Sequence, residues 1–218
     1  MSEPDNDLHD LPAIQAVIID LGGVLLRTVD QKPRQELAAR LDVKVFELYN
    51  LVFDSETARL ATLGKISARE HWQTIGARFN LSGKDLEVAI QQFWEGDRLD
   101  YALIDTLRSL RPHYKTALLS NAWDNLHALM RDTWKIADAF DELVISAEVG
   151  LAKPDHRIFS LALGRLGVHP HQAIFVDDFS ENVDAARWLG LRAIHFSSST
   201  QVLMELGSIL NVDHGSAR

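Results

Sequence analysis

The feature that most constrains the fold is a series of five short apolar runs, separated by stretches with helical periodicity. The runs are rich in Val, Ile and Leu and contain few polar residues, which is typical of strands buried on both faces. Strands that alternate with helices predict a parallel, doubly wound α/β sheet. We therefore expect a five-stranded sheet, with strands near 14–20, 116–119, 143–145, 173–176 and 192–196.

Residues 29–97 interrupt this alternation, because they carry helical patterns and no run that predicts a strand. Within them, Ser67-Ala68-Arg69-Glu70 has the form of a helix-capping box. We expect a helical cap domain at 29–97, an α/β core made of 13–28 and 98–218, and a flexible N-terminus at 1–12. An insert after strand one lies over the carboxyl edge of that strand, and at this position it can act as a lid. The aromatic side chains expected to pack the cap are Trp72, Phe79, Phe93 and Trp94.

Composition excludes several classes of protein. The formal net charge of −9 argues against a nucleic-acid partner or an anionic membrane surface, since both need basic patches. No apolar run approaches the ~18 residues that span a bilayer. The absence of cysteine excludes disulfides and cysteine nucleophiles. With no signal peptide visible, we expect a cytoplasmic monomer or homodimer that acts on a small molecule.

Polar side chains follow four of the five predicted strands, at the point where each strand ends or in the loop after it. In a parallel sheet these ends share one edge, so their side chains can converge in one crevice. Singly, each residue has an ordinary explanation as a turn former, a helix cap or a solvated charge. A carboxylate, a hydroxyl, a cation and a carboxylate pair together indicate one site. The residues are Asp20, Ser120, Asn121, Lys153, Asp177 and Asp178.

The chemistry of this set points to phosphoryl transfer. Three carboxylates around one point repel each other and raise each other's pKa unless a cation lies between them. Oxygen ligands of this kind suit Mg²⁺, which also binds substrate phosphates. A hydroxyl and a lysine are suitable donors to phosphoryl oxygens, and an aspartate can act as a nucleophile that forms an aspartyl-phosphate. The pattern predicts metal-assisted phosphoryl transfer through Asp20.

The same residues resemble the four motifs of the haloacid dehalogenase-like (HAD) superfamily, in the subfamily with a helical cap after the first motif. Asp20-Leu21-Gly22-Gly23-Val24 is similar to motif one and Leu119-Ser120-Asn121 to motif two. Gly150-Leu151-Ala152-Lys153-Pro154-Asp155 is similar to motif three, and 176–186 to motif four. In the cap, Gly64-Lys65-Ile66-Ser67 resembles the branch containing sugar-phosphate phosphatases and the phosphatase domain of epoxide hydrolases.

The resemblance implies how the site would hold its metal. Asp20 would be the nucleophile and also a Mg²⁺ ligand, with the backbone carbonyl of Gly22 as a second ligand. Asp177 would be a direct metal ligand, and Asp178 a direct or water-mediated one. Mg²⁺ is accordingly the cofactor that we expect.

The resemblance also implies which groups bind the phosphoryl group. The Ser120 hydroxyl and the backbone of Asn121 would donate hydrogen bonds to it, and Lys153 would neutralise both Asp20 and the phosphoryl oxygens. Gly23 and Asn182 would support the loops that carry motifs one and four. The implied activity is that of a Mg²⁺-dependent phosphatase of small phosphorylated metabolites, with sugar phosphates among them.

One residue departs from the pattern. Phosphatases of this family usually carry a second Asp two places after the nucleophile, as general acid for the leaving group and then as base for water. This chain has Gly22 there, which offers no titratable group. The loss of a general acid–base group costs on the order of 10²–10⁴ in rate. We therefore expect substrates with good leaving groups, such as an anomeric sugar phosphate or an acyl phosphate.

Three other functions stay open, of which a phosphoryl-transferring mutase is the least favoured, because it would depend even more on the acid–base group that Gly22 lacks. A non-catalytic or weakly active binding protein on the same fold is motivated by Gly22, although Asp20, Ser120, Lys153 and Asp177 are all in place. A hydrolytic dehalogenase would use the same nucleophilic Asp, but it has no need of a carboxylate pair for a metal. The pair Asp177-Asp178 therefore argues against it.

Overall fold

The strand at the centre of the sheet, β1 (Ala16–Ile19), explains why its sequence is apolar throughout. The structure is a computed structural model that describes residues 13–210, so the flexible N-terminus predicted at 1–12 lies outside the described residues. Side chains of a strand alternate between its faces. Val17 and Ile19 face one layer of helices and Ala16 and Ile18 face the other, so every position of β1 is buried.

All five strands of this sheet are parallel, and their spatial order is β5-β4-β1-β6-β7. This confirms the predicted α/β fold and the existence of all five predicted strands. Ile19 is in register with Leu118 on one side and Val176 on the other, so the ends of β1, β4 and β6 lie within two residues of one level. The remaining strands are β2 (Leu26–Thr28), β3 (Asp97–Leu99), β4 (Lys115–Ser120), β5 (Glu142–Ile145), β6 (Ala173–Asp177) and β7 (Arg192–His195).

The segment between β2 and β3 consists of five helices, which we call the cap. Their apolar faces form a hydrophobic cluster of their own, with Trp72 and Phe93 buried in it and Phe79 and Trp94 at its edge, as predicted. The expected capping box is present, since Ser67 Oγ accepts from the Glu70 amide at 3.2 Å. The helices are α1 (Lys32–Arg40), α2 (Val45–Phe53), α3 (Glu56–Thr62), α4 (Ala68–Arg78) and α5 (Gly83–Trp94).

Strands β2 and β3 pair antiparallel and form a ribbon where the chain enters and leaves the cap. Sequence analysis did not predict them, because three-residue strands are too short to show a periodic pattern. Two ion pairs hold the ribbon. Arg34 Nη2 lies 2.7 Å from Asp97 Oδ2 on the cap side, and Arg27 Nη2 lies 2.6 Å from Asp100 Oδ2 on the side of the sheet.

Helices cover both faces of the main sheet. Apolar residues of α6 (Tyr101–Leu110), α7 (Leu126–Ala128) and α11 (Ser199–Leu210) cover one face. The other face is covered by α9 (His156–Leu166) and α10 (Ser180–Trp188), while α8 (Ser146–Val149) is a single turn after β5. Among residues 13–210, none of the helices has the length and apolar character needed to cross a membrane.

Candidate active site

Three neighbouring strands deliver their last polar residues to one point. Asp20 directly follows β1, Ser120 is the last residue of β4, and Asp177 is the last residue of β6. The Asp20 amide donates to the Val176 carbonyl at 2.9 Å, which continues the sheet pairing one residue beyond β1. All three side chains are buried, so the predicted convergence at the carboxyl edge is present in the fold.

Lys153 links two of the carboxylates. Its Nζ lies 2.8 Å from Asp20 Oδ1 and 2.6 Å from Asp177 Oδ2, and the whole side chain is buried. The Asn121 side chain holds the Lys153 backbone from both sides, since its Nδ2 donates to the Lys153 carbonyl at 2.9 Å and its Oδ1 accepts from the Lys153 amide at 2.8 Å. The loop after β4 therefore positions the lysine, a contact that sequence analysis did not predict.

Asp177 is the most enclosed of the acids. Its carboxylate accepts from Lys153 Nζ, from the Phe179 amide at 2.8 Å, and from Asn182 Nδ2 at 3.0 and 3.1 Å. Both oxygens thus have protein donors, and Asn182 fixes the start of α10 against the end of β6. Asn182 therefore lies beside Asp177, and its supporting role stays a prediction.

Asp178 differs from Asp177, because one of its oxygens lacks a hydrogen-bond partner among the described residues. Among residues 13–210, no group hydrogen-bonds to its buried Oδ1 atom. Its Oδ2 lies over Gly23, where a Cβ would come within 2.0 Å of that oxygen, and Gly23 has a φ of +76° that favours glycine. His195 Nε2 lies 2.9 Å from the Asp178 carbonyl oxygen. Gly23 therefore makes the room in which the Asp178 carboxylate lies.

The charges of the site fit a divalent cation. Ligand atoms of Asp20, Asp177 and Asp178 all lie within 4.8 Å of one another. Burial raises the pKa of the Asp20 carboxyl; Lys153 opposes the rise and Asp177 adds to it. Burial, with the charges of Asp20 and Asp177, raises the pKa of Asp178 to about 6. Carboxylates that lie close together resist ionisation unless a cation offsets their charge. The raised pKa values and the unpartnered buried oxygen therefore fit a cation site whose ligands are all oxygen atoms.

Gly22 lies in the turn directly after Asp20 and is exposed. A Cβ built at this position meets nothing within 4 Å. The place where the family's usual acid–base residue would stand is therefore open space.

The cap lies on the loop that follows β4. The Ala68 amide at the start of α4 donates to Asp124 Oδ1 at 2.9 Å, and Trp123 packs against the hydrophobic cluster of the cap. Nearby, a Cβ on Gly64 would come within 2.0 Å of the Ala147 carbonyl oxygen in α8. Sequence analysis missed Trp123 and Asp124. The one signal for a contact here was Trp123 itself, an isolated aromatic residue two positions after Asn121 in a mainly polar segment, 120–125.

We expect Lys153→Met to destabilise the protein by about 3–5 kcal/mol in the absence of Mg²⁺, because it leaves the buried Asp20 and Asp177 without their cation. Urea unfolding measures the change, and Lys84→Met, at an exposed position on α5, is the matched control. Equal midpoints for both variants would show that Lys153 does not compensate these charges.

Comparison with known proteins places this geometry in a family. The sequence matches the haloacid dehalogenase-like hydrolase family over residues 14–190. It is 28% identical over 200 residues to a sesquiterpene phosphatase of Aspergillus oryzae, covering 90% of this chain and 96% of the relative. It is 26% identical over 211 residues to a D-ribitol-5-phosphate phosphatase of Bacteroides thetaiotaomicron, covering 91% of this chain and 99% of the relative.

A solved structure shares the fold. An HAD family enzyme of Bacteroides thetaiotaomicron, crystallised with magnesium and inorganic phosphate, superposes with a TM-score of 0.71 and 24% identity. The match covers 87% of this chain and 99% of that one. The arrangement of sheet and cap described above is therefore shared over nearly the full length of that enzyme.

Proposed function

The chain belongs to the haloacid dehalogenase-like hydrolase family and is a phosphatase of that family, and from this premise we propose that it hydrolyses small phosphate monoesters with Mg²⁺, through Asp20. The observation that carries the proposal is the group formed by the buried Asp20, Lys153 and Asp177 with the half-buried Asp178 at one edge of the sheet. Metal-assisted phosphoryl transfer needs a nucleophilic carboxylate and oxygen ligands for the metal. Asp20, paired with the buried Lys153, offers the first, and the unpartnered carboxylate oxygen beside it offers the second.

We assign Asp20 and Asp178 as the carboxylates that hold Mg²⁺, with the Gly22 carbonyl beside them. The resemblance also implies Asp177 as a direct ligand. However, Lys153, Asn182 and the Phe179 amide already occupy its oxygens, whereas Asp178 Oδ1 has no partner among the described residues. We infer that Asp177 chiefly keeps Lys153 in place. When bound, Mg²⁺ supplies positive charge that offsets the phosphoryl oxygens.

The reaction would run in two displacements at phosphorus. In the first, an Asp20 oxygen attacks the phosphorus atom and the bond to the ester oxygen breaks, giving an aspartyl-phosphate and the free alcohol. The leaving oxygen takes its proton from water, since Gly22 has none to give. In the second, water attacks the same phosphorus and gives its proton to solvent, the bond from phosphorus to the Asp20 oxygen breaks, and inorganic phosphate is released with Asp20 restored as a carboxylate.

The other predicted residues would bind the transferred group. The Ser120 hydroxyl and the Asn121 amide would donate to the phosphoryl oxygens, and Lys153 would balance their charge. Lys153 also opposes the rise in the pKa of Asp20 that burial causes, which favours the ionised nucleophile. Sugar phosphates are proposed substrates, although the two relatives named above act on very different organic groups.

Release of inorganic phosphate from acetyl phosphate and glucose 1-phosphate, with and without Mg²⁺, tests the proposal. We expect release from both with Mg²⁺ and none after chelation. If the folded protein releases phosphate from neither substrate, the result favours a binding protein without useful catalysis. This is the alternative that Gly22 motivates. Chloride release from chloroacetate without Mg²⁺ would instead identify a hydrolytic dehalogenase.

A further inference from the structure

Three aromatic side chains that are only partly buried lie together on the cap and on the loop beneath it. Phe53 and Trp123 stack with ring centroids 6.5 Å apart, and Trp94 meets them edge-on at 5.8 and 6.3 Å. We call Phe53, Trp94 and Trp123 the aromatic wall. Phe53 remains 48% exposed although it touches four other rings.

The wall lies close to the proposed phosphoryl site. Trp123 is three residues after Ser120, so their Cα atoms are at most about 11 Å apart. The bond from the Ala68 amide to Asp124 fixes the cap over this same loop. An extended organic group of about nine bonds, attached to a phosphate near Ser120, therefore spans the largest separation that the chain allows between these two Cα atoms.

Phe53 is exposed, whereas Trp94 and Trp123 are partly buried and pack against the hydrophobic cluster of the cap. Its interior is formed by others, among which Trp72 and Phe93 are buried. A single exposed apolar residue needs no explanation, but the exposed ring of Phe53 is continuous with the partly buried rings of Trp94 and Trp123, and a contiguous apolar patch is typical of a binding surface. Aromatic rings offer large apolar area at a small cost in side-chain entropy.

The guanidinium that lies over a ring of the wall is already paired. Arg34 lies over the rings of Phe93 and Trp94, at 4.4 and 5.6 Å. Its guanidinium is buried, however, and donates to both oxygens of Asp97 and to the Phe93 carbonyl. Arg34 therefore offers no free charge to a second phosphate or a carboxylate on the substrate. A carbon chain or ring, in contrast, would make apolar contact with the wall.

We propose that the aromatic wall binds the organic group of the substrate and that it selects phosphate monoesters with an apolar chain or ring over polyol phosphates. The proposal rests on the phosphatase function given above, since it names the substrate class of that site. It assigns Phe53, Trp94 and Trp123 to specificity and leaves the chemistry to the residues at the sheet edge.

Decyl phosphate and ribitol 5-phosphate test the selection, because both are esters of primary alcohols. The wild-type enzyme is expected to have a kcat/KM for decyl phosphate at least about tenfold above that for ribitol 5-phosphate. Phe53→Ala is expected to lower this ratio about tenfold. Phe46→Ala, on the same helix α2 and 57% exposed but outside the wall, is the control and should leave the ratio unchanged.

A preference for ribitol 5-phosphate, or equal ratios in the two variants, would overturn the proposal. Acetyl phosphate, too short to reach the rings, reports whether the protein is a phosphatase at all. If it is not hydrolysed, binding of decylphosphonate followed by tryptophan fluorescence still decides the matter. Weaker binding in Phe53→Ala than in Phe46→Ala would support the apolar subsite on its own, and equal or undetectable binding would remove it.

Discussion

Asp20→Asn is expected to lower kcat for Mg²⁺-dependent phosphate release by on the order of 10⁴ or more, the scale of loss seen when a nucleophile is removed. The amide has nearly the shape of the carboxylate, but its nitrogen cannot attack phosphorus and its oxygen carries no full charge. The substitution also removes one of the two carboxylates that we assign as ligands of Mg²⁺. Steady-state hydrolysis of acetyl phosphate with saturating Mg²⁺ measures the loss.

The substitution should not unfold the protein. Asp20 is a buried acid whose pKa is raised by burial, so an uncharged side chain relieves a desolvation cost while losing the contact with Lys153. Asp85→Asn, at an exposed position in the first turn of α5, is the matched control and should keep its activity. An active Asp20→Asn enzyme would mean that another group accepts the phosphoryl group.

Gly22→Asp is expected to raise kcat for phosphate esters of ordinary alcohols by about 10²–10⁴, the contribution of a general acid–base group. The site accepts a side chain, because a Cβ at Gly22 meets nothing within 4 Å and its backbone is not in the left-handed region. Its carboxyl would stand two residues beyond the nucleophile, with access to solvent. Acyl phosphates should gain little, since their leaving groups need no proton.

The dependence of kcat/KM on leaving-group pKa measures this effect. Across a series of phosphate esters, the wild-type slope should be steep and the Gly22→Asp slope shallow. Gly22→Asn adds a side chain of the same size without a carboxylic proton and should keep the steep slope. A flat wild-type slope would show that this chain has replaced the missing acid with another group.

The fold was predictable because its determinants are local. Each buried strand is a continuous apolar run, and each is followed by a helix, so strand number and parallel direction follow from the pattern. The convergence of Asp20, Ser120 and Asp177 then follows from the shared edge of a parallel sheet. The ribbon of β2 and β3 has no such signature, since it is fixed by pairing between residues that are 69 or more positions apart in sequence.

The different environments of the two neighbouring acids in the site were not predictable, because they depend on side-chain contacts across the fold. In sequence Asp177 and Asp178 are equivalent neighbours. In the structure, three donors surround Asp177, while Asp178 lies over Gly23 with a free oxygen. Likewise, nothing local to Trp123 indicates that its ring joins those of the cap.

Detection of a phosphoryl group on Asp20 shows directly whether this carboxylate is the nucleophile. Wild-type enzyme turning over acetyl phosphate radiolabelled in phosphorus, quenched rapidly in acid and digested, should yield label in the peptide that contains Asp20. The Asp20→Asn enzyme should yield none. Label on another peptide, or sustained Mg²⁺-dependent turnover that never leaves label on the wild-type protein, would contradict the account.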